Sequence, residues 1–247
     1  MSDAALLPMN WRLPAGVRAA FTTRLGGVSA APWDSFNLAM HVGDDPSHVA
    51  ANRARLTKLA ELPAEPAWLA QVHGATVCDL DVVNVLAPFT ADAAVAGGAG
   101  RVCAVMVADC MPVLFASRDG RRIGAAHAGW RGLAAGVLER TVVALGVAGR
   151  DLTAWMGPAI SREHFEVGDE VRAAFVDKDA GTAAAFVRNE RGRWRADLVA
   201  LARRRLAALG IHQVHGGEWC TFADRERFFS YRRDGKGGRM AALIWKE

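Results

Sequence analysis

A chain of 247 residues with 51% hydrophobic and 23% charged side chains can bury a sizeable core as one compact globule. No apolar stretch approaches the roughly 18 residues that cross a bilayer, and the start MSDAALLPMNWRLP lacks a secretion signal, so a cytoplasmic protein without membrane contact is expected. The net charge of +4 suits an anionic small-molecule substrate, while the arginines run from Arg12 to Arg239 without a nucleic-acid motif, so no nucleic-acid partner is expected.

GGVSAAPWDSFNLAMHVGD (26–44) has no clean period and reads as a surface loop that lines something. PSHVAANRARLTKLAEL (46–62) predicts a helix: Asp45 is its N-cap, Pro46 fits the first helical position, and Val49, Leu56 and Leu59 share a face. AWLAQVHG (67–74) ends an apolar run on His73, and VCAVMVADCMP (102–112) ends one on Asp109-Cys110, so both read as strand ends.

Residues 113–117 predict a buried strand, and Arg118-Asp119-Gly120-Arg121 a hairpin turn with the preferred Asp-Gly pair. The run 122–127 then returns antiparallel. A turn centred between Asp119 and Gly120 sets His127 opposite Pro112 and beside Cys110.

GLAAGVLERTVVALG (132–146) predicts one helix closed by glycine, and ADLVALARRRLAALGI (196–211) another that ends at Gly210. FFSYRRDGKGGRMAALIW (228–245) predicts two strands around the glycine-rich stretch 234–238. Strands, helices and antiparallel hairpins interleave, which argues for a mixed α/β (α+β) layered sandwich of mixed sheets with flanking helices, in a single domain over 1–247. A monomer or weak homo-oligomer is expected.

Four cysteines (Cys78, Cys103, Cys110, Cys220) are too scattered for a disulfide framework, and Cys78, Cys103 and Cys220 read as small buried hydrophobes. Cys110 differs, because Asp109 and Pro112 mark the chain leaving its strand. His73, Cys110 and His127 together form the palette of a zinc site with three protein donors and one open position. Such a site acidifies water toward a pKa of ~7, and Asp109 is the nearest group for proton transfer. Two other readings stay open: Cys110 as a thiolate nucleophile activated by His127 in a cysteine hydrolase, and a structural zinc, which would need a fourth ligand that no remaining Cys or His supplies.

Read together, QVHG (71–74), ADCMPVL (108–114) and AAHAGWRG (125–132) resemble the bacterial YfiH/YlmD-like family, which includes the human laccase-domain protein. FTTRLGGVS (21–29), SFNLAMHVGDDP (35–46), MGPAI (156–160), FEVGDEV (165–171) and FFSYRRDGKGGRMAALIW (228–245) extend the resemblance in family order. It implies a layered sandwich shared with a bacterial toxin catalytic domain and a zinc site on His73, Cys110 and His127. It also implies purine nucleoside phosphorolysis of adenosine, inosine and S-methyl-5'-thioadenosine, with adenosine deamination.

For phosphorolysis, Arg24 and Arg131 in glycine-containing loops are the candidates to hold phosphate, and Asn37 to hydrogen-bond base or sugar. The family also carries the labels of copper-dependent polyphenol oxidase (laccase) and of a peptidoglycan editing factor that removes misincorporated serine from a muramic-acid precursor. Only His41, His48, His164, His212 and His215 remain, with no H-x-H pair, so a multicopper cluster is not expected; copper would enter only as one ion in place of zinc.

Overall fold

The computed structural model describes residues 5–83 and 89–247. A six-stranded sheet lies at its centre, built from β2 (Val77–Asp79), β3 (Ala93–Ala96), β5 (Met111–Ser117), β6 (Ile123–Ala128), β7 (Leu152–Met156) and β11 (Gln213–Gly216). Its order is β11-β7-β5-β6-β3-β2, antiparallel through the middle and parallel at both edge pairs.

Alternate residues of β5 serve different cores, as the period of a strand requires. Val113 and Phe115 face helices, whereas Leu114 and Ala116 face a second sheet. Burial on both faces explains why these strands read as unbroken apolar runs. Phe115 is wholly enclosed, so truncation to alanine there is expected to cost about 3–5 kcal/mol.

The second sheet holds β1 (Val17–Phe21), β12 (Met240–Lys246) and β4 (Val102–Val107) in the order β1-β12-β4, all antiparallel. Phe21, Val105, Val107 and Ile244 pack from it against Leu114, Ile123 and Trp155 of the central sheet. On its outer face Ala20, Ala104 and Leu243 meet Leu56 of α1 (Pro46–Leu59). The far face of the central sheet is covered by α2 (Trp130–Ala135), α3 (Val137–Leu145) and α5 (Leu198–Ala208). The layers are thus helix, sheet, sheet, helices, the expected mixed sandwich. A small sheet of β8 (Glu166–Val167), β10 (Trp194–Ala196) and β9 (Phe186–Arg188), together with α4 (Asp169–Val176), closes one side. Among the described residues no helix is long and apolar enough to cross a membrane.

Local chemistry explains several boundaries. The Asp45 carboxylate accepts the Ser47 N–H ahead of α1, and Asp197 accepts the Ala200 N–H ahead of α5, whose end runs into Gly210 at φ 78°. The hairpin has the register counted from its Asp-Gly centre, with Pro112 and His127 as partners and Gly120 at φ 70° in the loop that Ser117 and Arg122 close.

Three expectations need correction. The helix over 132–146 is two helices, because Gly136 adopts φ 89° and its N–H closes α2 onto the carbonyls of Gly132 and Leu133. The run 228–233 is not a strand: Phe228 and Phe229 are buried, and the Ser230 hydroxyl caps a single turn, α6 (Tyr231–Asp234), by accepting the Arg233 N–H. The run 67–74 makes only isolated bridges, Ala67 with Cys103 and Ala70 with Thr90. His73 therefore sits on a turn at φ 61° and not on a strand end.

Candidate metal centre and its cavity

Three routes bring the expected donors together. His127 is the penultimate residue of β6, buried at 3% exposure. Cys110 lies where the chain leaves β4 and enters β5, a step made possible by Asp109 at φ 85°. His73 projects from the turn beside them, its ring edge-on to His127 with centroids 4.8 Å apart. Each of the three residues offers one ligand atom, and these atoms lie within 4.8 Å of one another; it is the single such group of three or more donors among the described residues.

Asp92, directly before β3, ties this set together and carries no motif that sequence reading would notice. It is fully buried, and its Oδ1 lies 2.9 Å from Nδ1 of His127. A carboxylate only accepts, so Nδ1 carries the proton and Nε2 is left as the donor atom. The same carboxylate accepts the backbone N–H groups of Val72, His73 and Gly74 at 3.2, 2.9 and 2.6 Å. These bonds hold the left-handed turn that presents His73. Burial pulls the Asp92 pKa up, but the His127 hydrogen bond and the Gly74 and Val72 amides outweigh it and leave it lowered.

The thiol and imidazole stabilise each other's charge. Burial pushes the Cys110 thiol up, yet the charge and hydrogen bond of His127 and the hydrogen bond of His73 bring it down to about 6. Burial likewise opposes a charged His127, but the Cys110 thiolate and Asp92 raise it to about 9. Space for the sulfur depends on Gly129, where a Cβ would stand 2.6 Å from Cys110 Sγ and 3.5 Å from His73 Cδ2.

The three donors floor a cavity of about 570 Å³ whose walls include Trp130, Phe165 and Tyr231, with Arg131, Arg232 and Arg239 around them. Gln71 also lines it but is committed to β4, its amide both accepting from and donating to the Met106 backbone. Asp109 is on the wall as expected, beside Cys110. Its Oδ1 accepts from the Thr221 hydroxyl at 2.6 Å and its Oδ2 from the Arg232 N–H at 2.7 Å, so it also clamps the start of α6.

Arg131 reaches the cavity, stacked on Trp130 with its guanidinium carbon 4.4 Å from the ring centroid. Arg24 does not. It lines a separate surface depression, turned there by Asp34, which accepts from its Nε at the carbonyl and from its Nη2 at the carboxylate. Asn37 does not reach the cavity either: it is fully buried, and its amide is spent on Ala39, Asp44 and the Arg239 N–H. The loop 26–44 still lines something, through His41. His41, Arg232 and Arg239 were not legible as site residues, since the first lies in an aperiodic loop and the others in a run that reads as strand and turn.

Residues 18–247 match the family model described as multi-copper polyphenol oxidoreductase laccase. The chain is 54% identical over 242 residues to a purine nucleoside phosphorylase of Pseudomonas aeruginosa, covering 98% of both chains. It is 50% identical over 240 residues to the Escherichia coli purine nucleoside phosphorylase YfiH, covering 97% of this chain and 98% of that one. The crystal structure of a Neisseria meningitidis DUF152 protein superposes with a TM-score of 0.94 at 45% identity, covering 98% and 99% of the two chains. YlmD from Geobacillus stearothermophilus follows at 0.85 and 32% identity, covering 94% and 93%. The chain belongs to this laccase-domain family, as a YfiH-like member.

Proposed function

We propose that this chain is a zinc-dependent purine nucleoside phosphorylase acting on adenosine, inosine and S-methyl-5'-thioadenosine, with adenosine deamination as a second activity. The observation that carries the reading is the convergence of His73, Cys110 and His127 on the floor of an aromatic, arginine-lined cavity, in a chain half identical to relatives named for this activity. The donor set fits zinc: one thiolate, one imidazole whose tautomer is fixed by Asp92, and a second imidazole whose turn Asp92 also holds. A zinc ion there would supply Lewis acidity at its one open position. Copper would satisfy the same three atoms as a single ion, and the described residues hold no further group from which a multicopper cluster could be built.

The remaining work falls to the chain's own side chains. Trp130, Phe165 and Tyr231 offer flat apolar surface to a purine, and the half-buried Arg239 offers charge to phosphate. In phosphorolysis the bond from C1′ to the purine nitrogen breaks as a phosphate oxygen bonds to C1′, and the purine leaves with the electron pair and takes up a proton. Asp109, the one carboxylate among the residues lining the cavity, is the group placed to relay that proton. Release of free purine and ribose 1-phosphate from inosine, in proportion to added phosphate and abolished by chelation, is the expected result. Purified protein inactive on every nucleoside would overturn the reading and direct attention to muramic-acid precursors.

A second reading is favoured by one specific contact. Cys110, His127 and Asp92 stand in the order of nucleophile, base and orienting acid, so a metal-free protein has the parts of a cysteine hydrolase. Metal content separates the two.

A further inference from the structure

Three guanidinium groups share the cavity, and they are not equivalent. Arg131 is exposed and stacked on Trp130. Arg232 is exposed, lies over Phe165 and donates to the Glu166 carbonyl. Arg239 is half-buried and held at several points. Its Nη1 donates to the carbonyls of Gly237 and Gly238 at 3.1 and 3.0 Å, and its backbone N–H donates to Asn37 Oδ1 at 3.0 Å. Leu38 pairs with it as well, through its N–H to the Arg239 carbonyl.

Asn37 fixes a second group at the same time. Its side chain accepts the Ala39 N–H and donates to the Ala39 carbonyl. Ala39 starts the single 3-10 turn Met40–Val42, which carries His41 into the cavity. One buried amide therefore sets Arg239 and His41 relative to each other, although they are far apart in sequence.

The electrostatics of Arg239 are unfinished. Elsewhere in the chain, guanidinium groups such as those of Arg122, Arg204, Arg205 and Arg233 pair with carboxylates. Among the described residues no carboxylate pairs with Arg239. Burial is the main influence on it and lowers its pKa, with the charges of Cys110, Asp109 and Tyr231 opposing. A guanidinium stays protonated regardless, so an immobilised, partly desolvated cation faces the cavity with Cys110 and Asp109 acting on it only through space and no carboxylate in direct contact. Burial, then the charges of Arg239 and Arg53, lower the His41 pKa, and a neutral imidazole has one N–H to donate.

We propose that Arg239 and His41 form the anion seat of the cavity and that its ligand is inorganic phosphate, with Arg131 a rim residue that does not set phosphate affinity. The role of that phosphate rests on the phosphorolysis reading above. The seat itself is tested without turnover. A planar guanidinium gives two parallel N–H groups to one oxyanion, and prior anchoring of Nη1 by two carbonyls leaves less rotamer entropy to lose on binding. Asn37 thus contributes to the site without touching it.

The test is calorimetric titration of the zinc-loaded protein with inorganic phosphate, repeated for Arg239→Gln, Arg239→Lys and Arg131→Gln, with metal content and melting temperature measured for each. Arg239→Gln should weaken phosphate binding about tenfold or more at unchanged zinc content, and Arg239→Lys should recover part of it. Arg131→Gln should stay within about threefold of the parent, a shift of the size expected for an exposed charge. A parent protein that binds no phosphate, an Arg239→Lys variant that folds and binds like the parent, or a larger loss in Arg131→Gln overturns the proposal. Titration with adenosine 5′-monophosphate separates the two sources of a phosphoryl group: tight binding of the nucleotide where free phosphate fails also overturns it. The phosphorolysis reading fails by a different sign, in a protein that binds phosphate through Arg239 yet cleaves inosine at a rate indifferent to phosphate.

Discussion

Asp92 and His127 are joined twice: the ring Nδ1 lies 2.9 Å from the Asp92 carboxylate, and the His127 backbone N–H donates to the Asp92 carbonyl at 2.7 Å. Because the same carboxylate gathers the amides of the His73 turn, one acid orients both imidazoles of the centre.

Replacing Asp92 with Asn should therefore lower zinc affinity about 10–100-fold, since the imidazole loses its charged partner and the turn loses part of its anchor. Competition with a chromogenic chelator reads this directly. An affinity equal to that of the parent would remove Asp92 from the centre.

The protein as purified should hold about one zinc per chain, as expected of a site with one set of donors. His73→Ala is the cleaner ligand test, because that side chain is exposed whereas His127 is in the core. Elemental analysis should find the metal absent in both variants, and full occupancy in either would refute the assignment.

In the metal-free protein, Cys110 should be alkylated by iodoacetamide with a midpoint near pH 6, following the value of about 6 that His127 and His73 impose. An ordinary thiol reacts with a midpoint near ~8.5. The thiolate fraction grows as pH rises, so labelling increases upward through that midpoint. Zinc should slow it at every pH, whereas rapid labelling of the zinc-loaded protein would favour the cysteine hydrolase.

Zinc binding should release protons and tighten as pH rises from 6 toward 9, because the Cys110 thiol and the raised His127 must both give up a proton to coordinate. Calorimetry in buffers of different ionisation enthalpy counts those protons. A pH-independent affinity would contradict the coupling between the two groups.

Two glycines separate stability from function. Gly136→Ala forces a side chain into φ 89° between α2 and α3 and should cost about 1 kcal/mol or more, seen as a lower melting temperature with zinc retained. Gly129→Ala sets a methyl 2.6 Å from Cys110 Sγ and should reduce zinc content beyond any effect on melting. Equal behaviour of the two would show that the approach of Gly129 to the sulfur is unimportant.

What the sequence revealed follows from how local its causes are. The Asp-Gly turn and the length of its flanking runs are short-range, so the pairing of Pro112 with His127 could be counted off and is found as counted. The sandwich could be read from the interleaving of strand-like and helical runs with antiparallel hairpins. Asp92 was invisible because its partners lie about twenty and thirty-five residues away and a single acid before AAVA has no distinguishing neighbour. Arg24 and Asn37 read as site residues by type, but the rotation of one toward Asp34 and the enclosure of the other are tertiary facts. The strand expected at 228–233 failed where a serine cap and two buried phenylalanines outweighed local β propensity.

Between Val107, which pairs with Met240 in one sheet, and Met111, which pairs with Ala128 in the other, the chain crosses from layer to layer in three residues, the last of them Cys110. The sulfur stands on a seam. His127 belongs to the central layer alone, so an ion shared by the two would fasten one sheet to the other at the cavity floor, and any sliding of the layers would be felt as stretched coordination. Metal content is then a mechanical variable as much as a chemical one. At free zinc a thousandfold above the dissociation constant the fastening is worth about 4 kcal/mol, and stripping it should loosen the seam around Asp109 and α6 before either hydrophobic core gives way.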